Sequence, residues 1–132
     1  VEADKKNRYG YSNEIWDAAR AEIKDKLEDR VRSATKRSDI VTFYSDLARS
    51  LTSIVIDYGQ GAFAQLLCDV SRETDADYGV MLSVVVIGKC NSVSGPGFFR
   101  IARKELGRTE KDDIVLWSQE FLKVLKHYRK QV

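Results

Sequence analysis

Apolar residues return every four positions early in the chain, at Ile15, Ala19, Ile23, Leu27 and Val31, with Trp16 beside them. An α-helix turns once every 3.6 residues, so this spacing gathers them on one stripe of a helix over about residues 12–34. Ser12 or Asn13 is placed to cap it, and Glu14 and Asp17 suit its positive N-terminal end. The other faces carry Glu22, Asp25, Lys26 and Asp29, with Glu22 and Lys26 at a favourable pairing distance. Such a helix packs on a core by one face only. The last helix, about residues 111–129, reads as clearly. Ile114, Trp117, Phe121, Leu125 and Tyr128 form its inward face. Asp112 and Asp113 stand at its start and Lys126, Arg129 and Lys130 at its end, so both ends match the helix dipole.

The middle of the chain is more varied. Residues 35–39 are a polar break, and residues 40–43 a short β-branched segment expected as a strand or extended stretch. Residues 44–51 predict a short helix capped by Ser45 or Thr42, with Leu47, Ala48 and Leu51 inward. Residues 54–56 are apolar without a clear period, and residues 57–61 form a turn with Gly59 and Gly61. A helix follows over residues 62–72, with Phe63, Leu66, Leu67 and Val70 inward, ended by residues 75–79. Residues 80–87 are the only convincing strand, apolar, rich in valine and expected to be buried on both faces. Its partner is residues 40–43 or a return near Val93. A loop over residues 88–97 leads into a helix over residues 98–106, which Gly107 stops. No internal repeat or low-complexity segment is visible. The expected fold class is α+β, mostly α: a helical domain with a small antiparallel β-hairpin.

At 132 residues the chain matches a single domain able to bury its own core, with residues 1–12 as a flexible tail. An apolar share of 43% and a charged share of 32% belong to a globular chain. No stretch approaches a membrane span, and residues 1–6 lack the apolar centre of a signal peptide. A cytoplasmic chain is expected. A start at Val1 reads as a fragment or processed form. The formal charge is only +2, so any contact with nucleic acid must come from a local patch. Cys68 and Cys90 are the only cysteines and are expected to be reduced core residues.

The order of elements carries the strongest functional hint. A short strand, a short helix, a turn, a second helix and a strand with a loop follow one another over residues 40–93. This order resembles winged-helix DNA-binding domains, in which the second helix enters the major groove and the loop is the wing. The string Val41-Thr42-Phe43-Tyr44-Ser45-Asp46-Leu47-Ala48 is similar to the opening of the DNA-binding half of alkyltransferase-like proteins, over about a third of the chain. The Pro-Cys-His-Arg string of that family is absent, since Asn91 and Ser92 follow Cys90, so no reactive cysteine is implied. On this resemblance Gln65 reads adenine and Arg72 guanine, with Lys89 on the wing. Arg100, Arg103 and Lys104 lie after the Gly95-Pro96-Gly97 turn, whose backbone N–H groups open a helix and suit an anion. The same turn with Phe98-Phe99 resembles that of small bacterial domains without an assigned activity.

Two considerations weigh against DNA. The supposed recognition helix offers Asp69 and Glu73 beside Arg72, a handicap where phosphate contacts supply affinity. Gln65 and Arg72 are equally read as solvent-facing residues, and Gly95–Gly97 as a tight turn before core residues Phe98, Phe99 and Ile101. The alternative function is therefore a protein–protein interaction module, of immunity or adaptor type. If the cations share one face, nucleic acid gains; if they scatter, a protein partner gains. An enzyme is not expected, nor a cofactor or metal. His127 is the only histidine and is expected at an exposed helix end. Asp75 with Asp77 and Asp112 with Asp113 are read as turn and helix-start residues. No Pro-Asp…Glu-x-Lys nuclease pattern is present, although Asp57 and Glu73 precede the strand.

Overall fold

The computed structural model describes residues 6–90 and 92–129. In chain order the elements are α1 (Asn13–Ser33), α2 (Arg37–Ile40), β1 (Thr42–Phe43), α3 (Tyr44–Ser50) and α4 (Gly61–Tyr78). A 3-10 turn (Leu82–Val85), β2 (Val86–Ile87), α5 (Pro96–Lys104) and α6 (Asp113–Tyr128) follow. The class is α+β and mostly α. The expected antiparallel hairpin is corrected: β1 and β2 run parallel, with Thr42 beside Val86 and Phe43 beside Ile87. Parallel neighbours need a long crossover, here supplied by α3 and α4. Val93 forms no return strand; its carbonyl accepts from Gly88 N at 2.9 Å and closes a tight turn where a wing was expected. Asn91, Lys130 and residues 1–5 of the expected tail lie outside the described residues. Residues 6–12 form a turn in which Lys6 bridges Ser12 and the Tyr9 ring stacks on Trp16 at 5.7 Å.

Ser12 caps α1, its hydroxyl accepting from Ile15 N at 3.1 Å. Trp16, Ala19, Ile23, Leu27 and Val31 are buried. Ile15 is 42% exposed, because Trp16 takes the first place on the stripe. The Trp16 indole donates to Asp69 at 3.0 Å, which satisfies its one polar atom. At α3, neither Thr42 nor Ser45 caps the helix; Phe43 occupies that position without a side-chain bond. Leu47, Ala48 and Leu51 are buried as expected. α4 continues six residues beyond 72 and ends at Gly79, whose φ of +75° suits glycine. Asp75 therefore lies inside the helix rather than in a turn, bound to Arg108 at 2.7 Å.

Residues 80–87 are buried throughout, but only the last two form a strand. Buried backbone groups need partners, and here side chains supply them. Thr74 donates to Val80 O at 2.8 Å and accepts from Leu82 N at 3.2 Å. Ser71 accepts from Ser83 N at 3.0 Å, and its hydroxyl meets that of Ser83 at 2.6 Å. Ser94 donates towards Val84 O and Val86 O, and the Trp117 indole also donates to Val84 O at 3.0 Å. With α4 and α6 satisfying the backbone from both sides, no longer sheet ladder is required. The segment turns through a 3-10 helix at the centre of the protein.

Asp112 caps α6, accepting from Val115 N at 3.0 Å. This helix buries Leu116, Trp117, Glu120, Phe121, Val124 and Tyr128. Ile114, expected inward, is 67% exposed, and Leu125 is half-buried. Trp16, Trp117 and Phe121 share one core, with the Trp117 and Phe121 rings stacked at 4.9 Å. α5 begins at Pro96, and Gly107, at φ +73°, turns the chain beyond its end. Among the described residues no helix is long and apolar enough to cross a membrane.

Candidate functional site

An apolar cleft of about 270 Å³ opens between the start of α3, one side of α4 and the Gly95–Gly97 turn. Phe63, Leu67 and Phe98 form its inner wall, Tyr44 and Cys68 stand half-buried, and Tyr58 at the lip is 54% exposed. The turn is pinned: the Tyr44 hydroxyl accepts from Gly95 N at 2.6 Å. A Cβ on Gly95 would come within 3.3 Å of that oxygen, so close approach explains the glycine. Gly97 differs, since a Cβ there would meet nothing within 4 Å. Burial pushes the Tyr44 hydroxyl above its ordinary pKa, against the opposing bonds with Gly95 and Ser94. Burial likewise raises the Cys68 thiol, with Arg72 and Arg100 pulling the other way. A neutral phenol and a neutral thiol leave the cleft uncharged at neutral pH, suited to an apolar group.

The residues read from sequence as a nucleic-acid surface separate into different settings. Gln65 donates to Asp69 at 3.0 Å. Arg72 binds Asp69 at 2.6 Å and grips both carboxylate oxygens of Glu105, at 2.7 and 3.0 Å. The Glu105 bond raises the Arg72 pKa and lowers that of Glu105. Arg103 points towards the start of α6, bonding Asp113 at 2.7 Å and the carbonyls of Glu110 and Lys111. Lys89 is exposed and lies over the Phe43 ring at 5.5 Å. Arg100 and Lys104 are exposed on α5. Arg72 and Arg100 thus come together near Cys68, while Lys89 and Arg103 turn to β1 and α6.

The polar face of α4 is a set of internal ties. Glu73 binds Arg20 at 3.2 Å and Lys24 at 2.8 Å on α1, and that bond raises the Lys24 pKa. Asp75 shares Arg108 with Glu120, which is only 1% exposed. A larger and more open hollow, about 550 Å³, lies over Arg108, Glu120 and Lys123, whose charges pair with one another.

Cys68 and Cys90 are free thiols; Cys90 is exposed, which corrects its expected core position. His127 is half-buried rather than exposed, its ring 4.3 Å from Tyr78. Among the described residues no group of three or more His, Cys, Asp or Glu is placed to hold a metal ion. The cleft itself was missed in the sequence. Its signal was present in Tyr44, Tyr58, Phe63 and Phe98, each beside a turn or helix start, but their convergence depends on the tertiary crossover.

Compared with known proteins, the chain matches no family model, no curated protein and no solved structure.

Proposed function

We propose that this domain is a protein–protein interaction module that receives one apolar side chain of its partner in the cleft beside Gly95–Gly97. The observation that carries this reading is the uncharged cleft walled by Phe63, Leu67 and Phe98, open at Gly97 and large enough for one aromatic or branched side chain. Aromatic anchors in desolvated pockets supply much of the energy of protein interfaces. Arg100 is exposed near the cleft, and the first turn of α5 adds the positive end of a helix dipole. The favoured partner segment therefore carries an apolar anchor next to Asp or Glu. The charges of α4 support the same choice over a recognition helix. It holds Asp69, Glu73, Asp75 and Asp77 against Arg72 alone, and all but Asp77 are committed to internal bonds.

A second reading, duplex DNA, is favoured by Lys89, Arg100 and Lys104, which are exposed and form no salt bridge among the described residues. Both readings meet one experiment. A random peptide library is selected on the immobilised protein, and binding to random duplex DNA is titrated with salt. The module reading expects enriched peptides with an aromatic or aliphatic residue beside an acid. Their binding should fall at least about tenfold in Gly97→Phe, which fills the cleft, and in Arg100→Glu. No enrichment, or peptides indifferent to both changes, would overturn it. If DNA is bound instead, its affinity should fall with a logarithmic salt slope near −3, as about three phosphate contacts require.

A further inference from the structure

Helix α6 has two apolar faces. One is the core face. The other consists of Ile114 at 67% exposure, Val115 at 43% and Leu122 at 62%, with half-buried Leu125 at its edge. At about 100° per residue these four side chains and Ser118 fall within roughly 100° of arc. The stripe is continuous along about three turns. Scattered exposed apolar residues are ordinary, but a stripe along one helix marks a contact surface.

We infer that this face pairs with α6 of a second copy of the chain, antiparallel and two-fold symmetric. A two-fold interface requires a surface complementary to itself, and the order of residues on α6 has that property. With the helices antiparallel about the level of Glu120, Val115 faces Leu125 of the other copy and Ser118 faces Leu122. The small Ser118 leaves room for that leucine. On the flank, Lys126, which forms no ion pair among the described residues, lies two residues, roughly 3 Å along the axis, from the level of Asp112 of the other copy, within reach of its long side chain. A parallel pairing would instead set Lys126 against its own copy. Lys111 and Arg129 meet at the two ends, beyond the apolar stripe, where water and salt screen them. The stripe is shorter than a standard interface needs, so the pair forms weakly, with a dissociation constant on the order of 100 µM.

Analytical ultracentrifugation of the 132-residue chain tests this. The apparent mass should rise from 15.0 kDa towards twice that value across a series from micromolar to millimolar concentration. Leu122→Lys, an exposed position, should hold the protein monomeric with unchanged helicity, while Gly97→Phe should leave association intact. Orientation is read by crosslinking in a Cys90→Ser background. Val115→Cys mixed with Leu125→Cys should form disulfide dimers, and either variant alone should not. A wild-type chain that stays monomeric through 1 mM, association indifferent to Leu122→Lys, or crosslinks formed by single variants would each overturn the inference.

Discussion

Helices α4 and α6 are nearly equal in length and use their outer surfaces in opposite ways. On α4 the half-buried polar side chains reach neighbouring elements: Asp69 to Trp16, Arg72 to Glu105, Glu73 to Arg20 and Lys24, and Asp75 to Arg108. On α6 the outer arc carries Ile114, Val115 and Leu122, 67%, 43% and 62% exposed. Charge on a helix is therefore a poor guide to its role as a binding surface. The charged helix is internal scaffolding, and the apolar one presents a surface. The comparison also bears on the DNA reading, because a recognition helix must offer its polar groups outward, and the charged groups of α4 other than Asp77 are engaged.

The largest way to break the comparison is through Arg108. Its guanidinium bonds Asp75 on α4 at 2.7 Å, Glu120 on α6 at 3.0 Å and Leu106 O at 2.8 Å. Burial opposes its charge, but bonds to Glu120 and Asp75 outweigh that and raise its pKa. Arg108→Ala leaves Glu120, 1% exposed, with only Lys123 to balance it. Removing one partner of a buried charge pair costs about 3–5 kcal/mol, which urea denaturation should read directly. A loss below about 1 kcal/mol would mean that α4 and α6 are joined by apolar packing alone. On α6 itself, Leu116 is 1% exposed, and Leu116→Ala should cost about 2–4 kcal/mol in the same assay.

Sequence periodicity read these helices unequally, for physical reasons. The four-residue stripe of α1 and the burial of residues 80–87 follow from hydrophobic spacing, and both are found. The conformation of residues 80–87 does not follow, because its backbone bonds go to Ser71, Thr74, Ser94 and Trp117, distant in the chain. Ser83 inside an otherwise apolar run was the local sign that a side-chain network rather than a ladder would serve it. Residues 75–78 looked like a terminator because Asp75 and Asp77 favour turns, but only Gly79 stops α4. On α6, a stripe through Ile114 and Leu125 fits the spacing as well as one through Leu116 and Val124. Only tertiary packing chooses between them. The cations Arg72 and Arg103 could be numbered from the sequence, but their carboxylate partners could not.

A third test uses Glu22, where α1 captures a loop in the way that α4 captures its neighbours. Its carboxylate accepts from Thr52 N at 2.8 Å, Ser53 N at 2.9 Å and the Ser53 hydroxyl at 2.6 Å. Burial would raise its pKa, but the bonds from Ser53 and Thr52 prevail and hold it at about 2, below the ordinary 4.5. A folded pKa below the unfolded one stabilises the protein fully above the unfolded value. That stability fades as pH falls from about 4.5 to about 2. Glu22→Gln should cost about 2 kcal/mol at pH 7, as lost hydrogen bonds to a charged group do. The difference from wild type should shrink steadily between those two pH values. A gap that stays constant down to pH 2 would show that the carboxylate charge is not what holds residues 52–53.

The smallest expected effect sharpens the comparison most. Leu122 lies on the same helix as Leu116 but is 62% exposed, so truncating it leaves no cavity and removes little buried area. Leu122→Ala should change stability by less than about 0.5 kcal/mol, with alanine's helix propensity offsetting what little contact is lost. The measurement belongs at low micromolar protein, where self-association through this face contributes nothing. Two leucines on one helix, differing only in which way they point, should then differ about fourfold or more in cost. A cost for Leu122→Ala approaching that of Leu116→Ala would mean that the outer stripe of α6 is already packed against the chain itself, leaving no free face for a second copy.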